Sequence, residues 1–192
     1  MLDIYVSKGN LSEDKDVFIF NLPAIETCPN HTLCASTCYA RKSERVWKGV
    51  LPSRKRNLLA TRDPRFVQDM VEKLKKATKV RIHESGDFYS DEYIKQWADI
   101  IRALPNTKFK CFTKVLKAYD VLKALPNVAV HLSILPGGEL NYGSDADMDK
   151  MAKKYLGAFI CPKKRAKTHE CSTFSCTECF NKLRKHILFT KH

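Results

Sequence analysis

Seven of the eight cysteines stand in two groups at opposite ends of the chain, and this placement limits what the chain can fold into. The first group is Cys28-x5-Cys34-x3-Cys38, the second Cys161-x9-Cys171-x4-Cys176-x2-Cys179. Thiols this close in sequence can converge on one centre, so each group reads as a set of metal ligands. Cys111, alone in an apolar run, reads as a buried core residue. Disulfides are the other use of clustered thiols, but they belong to short secreted chains. This chain has 192 residues, 44% of them hydrophobic, enough for one well-packed domain. Its start, Met1-Leu2-Asp3-Ile4-Tyr5, lacks the apolar core of a signal peptide. No uninterrupted apolar stretch approaches a membrane span. A reducing cytosol and no membrane contact are therefore expected, with metal binding favoured over disulfides.

Between the two groups, strand and helix alternate. Val17-Phe18-Ile19-Phe20 reads as a strand that stops at Asn21 and Pro23, just before the first cysteine loop. Asp63-Pro64 starts a helix with Phe66, Val67, Met70, Val71 and Leu74 on its apolar face. Val80 to His83 reads as a strand. Ser90 caps a helix whose inner face is Tyr93, Ile94, Trp97, Ile101 and Leu104, ended by Pro105. Ala103-Leu104-Pro105-Asn106 recurs as Ala124-Leu125-Pro126-Asn127, each copy leading into a strand, Lys108 to Phe112 and Val128 to Ser133. A helix around Asp147 to Tyr155 precedes a last strand, Leu156 to Ile160, which ends at Cys161.

Such alternation predicts an α/β fold with a mostly parallel sheet. The strand count fits a compact partial (β/α) barrel better than a complete one, which needs about 250 residues. The expected organisation is a single domain, 1–192. Its parts are the first cysteine loop and basic segment (17–62), the strand–helix repeats (63–160) and the C-terminal cysteine-rich segment (161–192). Loops leaving the carboxyl ends of parallel strands gather at one face, so both cysteine groups are expected there.

The same strand exits carry the candidate site. In His83-Glu84-Ser85-Gly86-Asp87-Phe88, Gly86 permits a tight turn that lets Glu84 and Asp87 approach one ligand, while His83 can serve as acid or base. Thr113, Lys114, His131 and Ser133 terminate or follow the next strands. Lys114 and His131 are candidates for handling anionic or oxygen groups, and Gly86, Thr113 and Ser133 for cofactor contact. Against this stands an ordinary strand-to-helix loop whose acids cap the helix and pair with nearby bases. Pro136-Gly137-Gly138-Glu139 admits close backbone approach, as does any turn of that composition. Trp47 has no distinguishing context, and Trp97 reads as core.

The formal charge is +13, from 34 Lys and Arg against 21 Asp and Glu. Arg41, Lys42, Arg45, Lys48, Arg54, Lys55, Arg56 and Arg62 concentrate it after the first cysteines, and Lys163, Lys164, Arg165 and Lys167 within the second group. Nucleic acid or a phosphorylated small molecule is the matching partner, and a solubilising basic surface the plainer reading. Three thiolates suit a four-iron cluster with one open iron, to which a substrate or cofactor can bind. One or two such 4Fe-4S clusters are expected, the alternative being one cluster shared by both ends. Zinc competes at Cys161, Cys171, Cys176 and Cys179, where Cys176-x2-Cys179 is half of a zinc knuckle. At the first group only His31 completes a zinc set.

The run Cys28-Pro29…Cys34…Cys38-Tyr39-Ala40, then Arg81 to Phe88, then Phe112-Thr113-Lys114 and the terminal cysteines, resembles the phage gene-product-88-like family over nearly the whole chain. That resemblance implies a bacteriophage origin, hence the cytoplasm of an infected bacterium, and iron–sulfur binding. The chain is also distantly similar to radical enzymes that use S-adenosylmethionine, whose cluster loop follows the first strand of a partial barrel. Their cysteine spacing is x3 then x2, whereas this loop has x5 then x3, which argues against S-adenosylmethionine as the cofactor. The expected function is redox or radical chemistry on an anionic substrate. The rival is a nucleic-acid-binding or host-modulating protein with a structural metal.

Overall fold

The computed structural model describes residues 1–10, 13–31, 34–133, 158–160, 180 and 186–188. The expected helix around Asp147 to Tyr155, the Pro136–Glu139 turn and Cys161, Cys171, Cys176 and Cys179 lie outside the described residues. The elements run β1 (Val6–Asn10), β2 (Glu13–Phe20), α1 (Tyr39–Val46), α2 (Val50–Ala60), α3 (Phe66–Leu74), β3 (Lys79–Ile82), α4 (Asp91–Ala103), β4 (Lys108–Thr113), α5 (Leu116–Leu122), β5 (Val128–Leu132), β6 (Ala158–Ile160) and β7 (His186–Leu188). This is the mixed α/β fold that the alternation predicts.

Five strands form one sheet in the order β1-β2-β3-β4-β5, and β6 pairs with β7 in a second. β2, β3, β4 and β5 are parallel, while β1 pairs antiparallel with β2 at the edge. Parallel strands laid down in sequence order need each crossover to step the same way, which puts the connecting helices on one face. The packing agrees. Phe66, Met70 and Leu74 of α3, Trp97 and Ile101 of α4, and Ala118 and Leu122 of α5 share one core with Phe20, Val80, Ile82, Phe109, Cys111, Val128 and Val130 of the strands. Trp97 and Cys111 are both completely buried, as their apolar settings predict.

Local signals place most boundaries. Ser90 caps α4, its hydroxyl accepting a hydrogen bond from the Tyr93 amide at 3.2 Å. The repeated Ala-Leu-Pro-Asn copies are joined physically: the Asn127 side-chain amide donates to the carbonyls of Ile101, Leu104 and Thr107, so the second copy ties down the first. Several boundaries shift: β2 begins at Glu13 and not Val17, and β5 ends at Leu132 and not Ser133. The helix expected from Asp63 begins at Phe66, and Asp63 instead forms a turn in which its carboxylate accepts from the Arg65 amide. The strand expected through His83 stops at Ile82, because His83 takes a left-handed backbone with φ 66°. Helices α1 and α2 were not anticipated: their sequence is basic and lacks the apolar spacing that announces a helix.

Candidate functional site

The loop after β2 and the turn after β3 are built as one unit. Asn21, just beyond β2, accepts hydrogen bonds from the amides of Glu84 and Ser85 on its side-chain oxygen at 2.7 and 2.9 Å. The Leu22 amide donates to the Ser85 carbonyl at 3.0 Å, and the Ser85 hydroxyl donates to the Leu22 carbonyl at 2.8 Å. Gly86 sits at φ 85° against this contact, and a Cβ there would meet the Thr27 hydroxyl at 2.6 Å and the Leu22 Cβ at 2.7 Å. Glycine is required on both counts. Ile25, at the head of the cysteine loop, has φ 69°. A β-branched residue in that conformation is a strained outlier, and such strain concentrates at functional loops.

Asp87 joins three loops. Its amide donates to the Thr27 carbonyl at 3.0 Å, fixing the residue next to Cys28. Its carboxylate accepts from the Thr113 hydroxyl at 2.6 Å, the Lys114 amide at 2.9 Å and the Phe88 amide at 2.8 Å. The Asn30 side-chain amide closes the ring by donating to the Lys114 carbonyl at 2.7 Å. From the next strand, the Ser133 amide donates to the Thr113 carbonyl at 2.7 Å. Cys28, Gly86, Asp87, Thr113, Lys114 and Ser133 therefore meet at the carboxyl end of the sheet. Of the first cysteine group, Cys28 is the member that these contacts hold at this end.

Burial raises the Asp87 carboxyl above its ordinary range, opposed by its hydrogen bonds from Lys114, Thr113 and Phe88 and by the Lys114 charge. Burial likewise pushes the Cys28 thiol up to about 11, with the backbone at Ile25 and the charge of Lys114 acting against it and Asp87 and Cys34 adding to it. An uncoordinated Cys28 is thus a neutral thiol near pH 7, and taking a metal there means releasing a proton.

Cys28, Cys34 and Cys38 are free and half-buried, in contrast to sealed Cys111. As donors they suit iron or another thiophilic metal. Among the described residues, no three His, Cys, Asp or Glu side chains already stand together as a metal cage. His31 is turned back on its own loop, its Nδ1 within 2.8 Å of the Cys28 carbonyl.

The other expected site residues are separated. His83 lies on the helix side of the sheet, because its left-handed backbone takes the ring out of strand alternation. The ring packs against Phe88, Tyr93 and Trp97, and Nε2 meets the Tyr93 hydroxyl at 2.7 Å. Burial drives its pKa down to about 3, with Arg81 adding to the effect. Glu84 faces a different neighbourhood: its carboxylate pairs with Arg81 at 3.3 Å, and its carbonyl accepts from the Tyr39 hydroxyl at 2.6 Å. His131 is completely buried and stacks on Phe112 at 5.1 Å between ring centroids.

Sequence reading overlooked Arg81 and Lys110. They are paired across the β3–β4 ladder, on the face opposite the helices. Arg81 lies 5.7 Å from the Phe112 ring centroid, and the Lys110 ammonium 4.5 Å from that of Phe180. A signal was available: in Lys79-Val80-Arg81-Ile82 and Lys108-Phe109-Lys110-Cys111, a cation alternates with an apolar residue, the mark of a strand with one polar face.

This arrangement of cysteine loop, glycine turn and Thr-Lys strand end falls within the stretch that a family model matches. Residues 6–142 match the family model described as Gene product 88. The Gene 88 protein of Mycobacterium phage L5 is 32% identical over 151 residues, covering 69% of this chain and 63% of that protein. The Gene 88 protein of Mycobacterium phage D29 is 33% identical over 153 residues, with the same shares. The chain thus spans somewhat under two thirds of the length of these curated relatives. No solved structure matches it. With a family model over most of its length and relatives of this identity, the chain belongs to the gene product 88 family.

Proposed function

We propose that this chain is a phage-encoded iron–sulfur protein acting in the host cytoplasm, with redox or radical-type chemistry on an anionic substrate at the carboxyl end of the sheet. The observation that carries the reading is the joining of the cysteine loop to the strand exits through Asp87 and Asn30. A loop whose only task was to hold a structural metal would not need a buried carboxylate from one strand and a Thr-Lys end from another. Consecutive parallel strands with helices on one face are also the geometry of a partial barrel, whose open end takes ligands.

Cys28, Cys34 and Cys38 are the residues that would hold the cluster, and a four-iron group with three thiolates supplies electrons and an open coordination position. Binding would draw the three thiols together, coupling metal uptake to ordering of the loop. Asp87 fixes the floor through Thr113 and the Lys114 amide, and the Lys114 ammonium is the positive group for an anionic ligand. Cys161, Cys171, Cys176 and Cys179 would close a second site of four thiolates. The spacing of the first loop speaks against S-adenosylmethionine, and zinc is the competing metal.

The test is purification without oxygen, followed by iron, acid-labile sulfide and zinc analysis. Brown protein with matching iron and sulfide is expected. Colourless protein with stoichiometric zinc and no sulfide would sink the proposal. Cys34→Ser and Cys176→Ser then divide the sites: each should lose part of the iron, Cys34→Ser with little change in melting temperature and Cys176→Ser with a clear drop. Complete loss from both would mean one shared cluster.

A further inference from the structure

Helix α1 and the turn that follows it present a surface that the strand-exit site does not use. Arg41, Lys42 and Arg45 fall on one arc of the helix and are exposed, and Lys48 continues them. Val46 and Trp47 are 59% and 65% exposed. A large indole set among four cations is unusual for a surface, since tryptophan normally buries its area. Among the described residues nothing crowds the turn: a Cβ placed on Gly49 would meet none of their atoms within 4 Å.

The charge on this surface is not cancelled locally. Glu44 is the only acidic residue between Tyr39 and Arg62, and it is turned inward. Its Oε1 accepts from the Arg54 guanidinium at 2.9 Å and from the Ala24 amide at 2.8 Å, and its side chain is only 9% exposed. Arg54 also donates to the Ala40 carbonyl at 3.0 Å, fixing α1 against α2. The single buried pair thus serves to anchor the helix and leaves its outer arc purely cationic.

We infer that this outer arc of α1, with Trp47, binds single-stranded nucleic acid. The cations follow the phosphates and the indole stacks on an unpaired base. A duplex keeps its bases stacked and offers the indole no face. A small phosphorylated molecule does not extend along four cations spread over about 12 Å of helix and the adjoining turn. A membrane surface would call for a broad apolar face, whereas α1 exposes cations along its outer arc.

The helix also points back to the site. Tyr39, its first residue, donates to the Glu84 carbonyl, and Cys38 immediately precedes it. A strand held at Trp47 is thereby led toward the cysteine loop. In this respect the inference deepens the proposed function by naming its anionic substrate class, while the binding surface itself uses none of the cysteines.

The protein is to be titrated with a labelled oligothymidylate of about 15 nucleotides, long enough to cover one such site. Four phosphate contacts predict a log–log salt slope of about −2.8. Trp97 is fully buried, so quenching of tryptophan emission on binding reports Trp47. Trp47→Ala should weaken binding about tenfold or more with the slope unchanged, and Trp47→Phe should recover most of it. Arg45→Glu with Lys48→Glu should weaken binding further and reduce the slope by about 1.4. Lys95→Glu, the same charge change at an exposed position on α4, should leave affinity within about twofold.

Several results would overturn the inference: no oligonucleotide binding in low salt, Trp47→Ala binding as the wild type does, Lys95→Glu weakening it as much as a change at Lys48, or binding only to phosphatidylglycerol vesicles. Repeating the titration on Cys34→Ser separates the two readings. Undiminished binding by Cys34→Ser would show that the surface works without the cysteine loop. Colourless wild-type protein that still binds would count against the cluster alone, and brown wild-type protein that ignores the oligonucleotide would overturn the surface alone.

Discussion

Along β4, Phe109 and Cys111 belong to the helix-side core, while Lys110 and Phe112 occupy the other face. The same division runs through β3, where Val80 and Ile82 join the core and Arg81 does not, and through β5, where Val128 and Val130 do and His131 does not. The helix side is a continuous apolar layer in which Phe20, Phe66, Tyr93 and Trp97 touch ring to ring. The opposite side carries an arginine, a lysine and a histidine among apolar neighbours such as Val17, Ile19 and Ala129. One face holds the fold together by removing apolar area from water. The other keeps Lys110 buried and Arg81 partly buried, which costs solvation and is tolerated where charge has a task.

If that division is right, mutations on the two faces will differ in kind. The largest effect belongs to Trp97→Ala, which removes the centre of the aromatic layer and should cost about 3–5 kcal/mol. Phe112→Ala, the same truncation on the polar face, should cost about half as much, because that ring is only partly buried. Urea unfolding measures both. Equal losses would break the comparison.

Acid provides the next test, because His83 is a titratable group embedded in the apolar face. Its pKa falls from 6.5 unfolded to about 3 folded, so the folded state binds fewer protons between those values. Stability from neutral His83 is therefore fully present above about pH 6.5 and is lost progressively as pH falls toward about 3. Asp87 acts in the opposite sense: its raised carboxyl favours the fold at low pH, a contribution lost as pH rises from 3.8 through its folded value. His83 alone would lose on the order of 5 kcal/mol over that range, and Asp87 offsets part of it. His83→Asn, which accepts the left-handed backbone, should flatten that limb while lowering stability at pH 7. An unchanged acid limb in this variant would place His83 outside the core.

The smallest effect sharpens the boundary between core and site. Thr113→Val keeps the volume but removes the hydroxyl that donates to Asp87 and accepts from the Val115 amide at 3.0 Å. A loss of about 1–2 kcal/mol in urea unfolding is expected, together with faster hydrogen exchange at the Lys114 amide if Asp87 is mispositioned. A neutral result in both readouts would show that the Asp87 carboxylate does not depend on this strand.

Much of the helix-side face was legible in the sequence. Spacing alone located α3, α4 and the inward positions of Phe66, Met70, Trp97 and Ile101, and the serine at position 90 fixed the start of α4. The strand–helix order fixed a parallel sheet and thereby put Gly86, Asp87 and Thr113 at one end of it. The reason is that these features depend on local period and on chain connectivity, which the sequence carries directly.

What the sequence could not supply were relations between distant segments. His83 and Asp87 are four residues apart and look equally suited to a site, yet a left-handed backbone at one sends its ring into the core while the other joins the cysteine loop. That outcome depends on which partners wait on each side: Tyr93 for the imidazole, and Thr113, the Lys114 amide and Thr27 for Asp87. In the same way, Glu44 and Trp47 read as unremarkable members of a basic segment. Only packing against Arg54 turns the acid inward and leaves the indole outside. By itself, then, the sequence determined which residues could be buried and at which end of the sheet the loops emerge, because both follow from period and order. The tertiary structure decided which polar groups meet, because a hydrogen bond needs its partner within about 3 Å and no pattern along the chain encodes that distance.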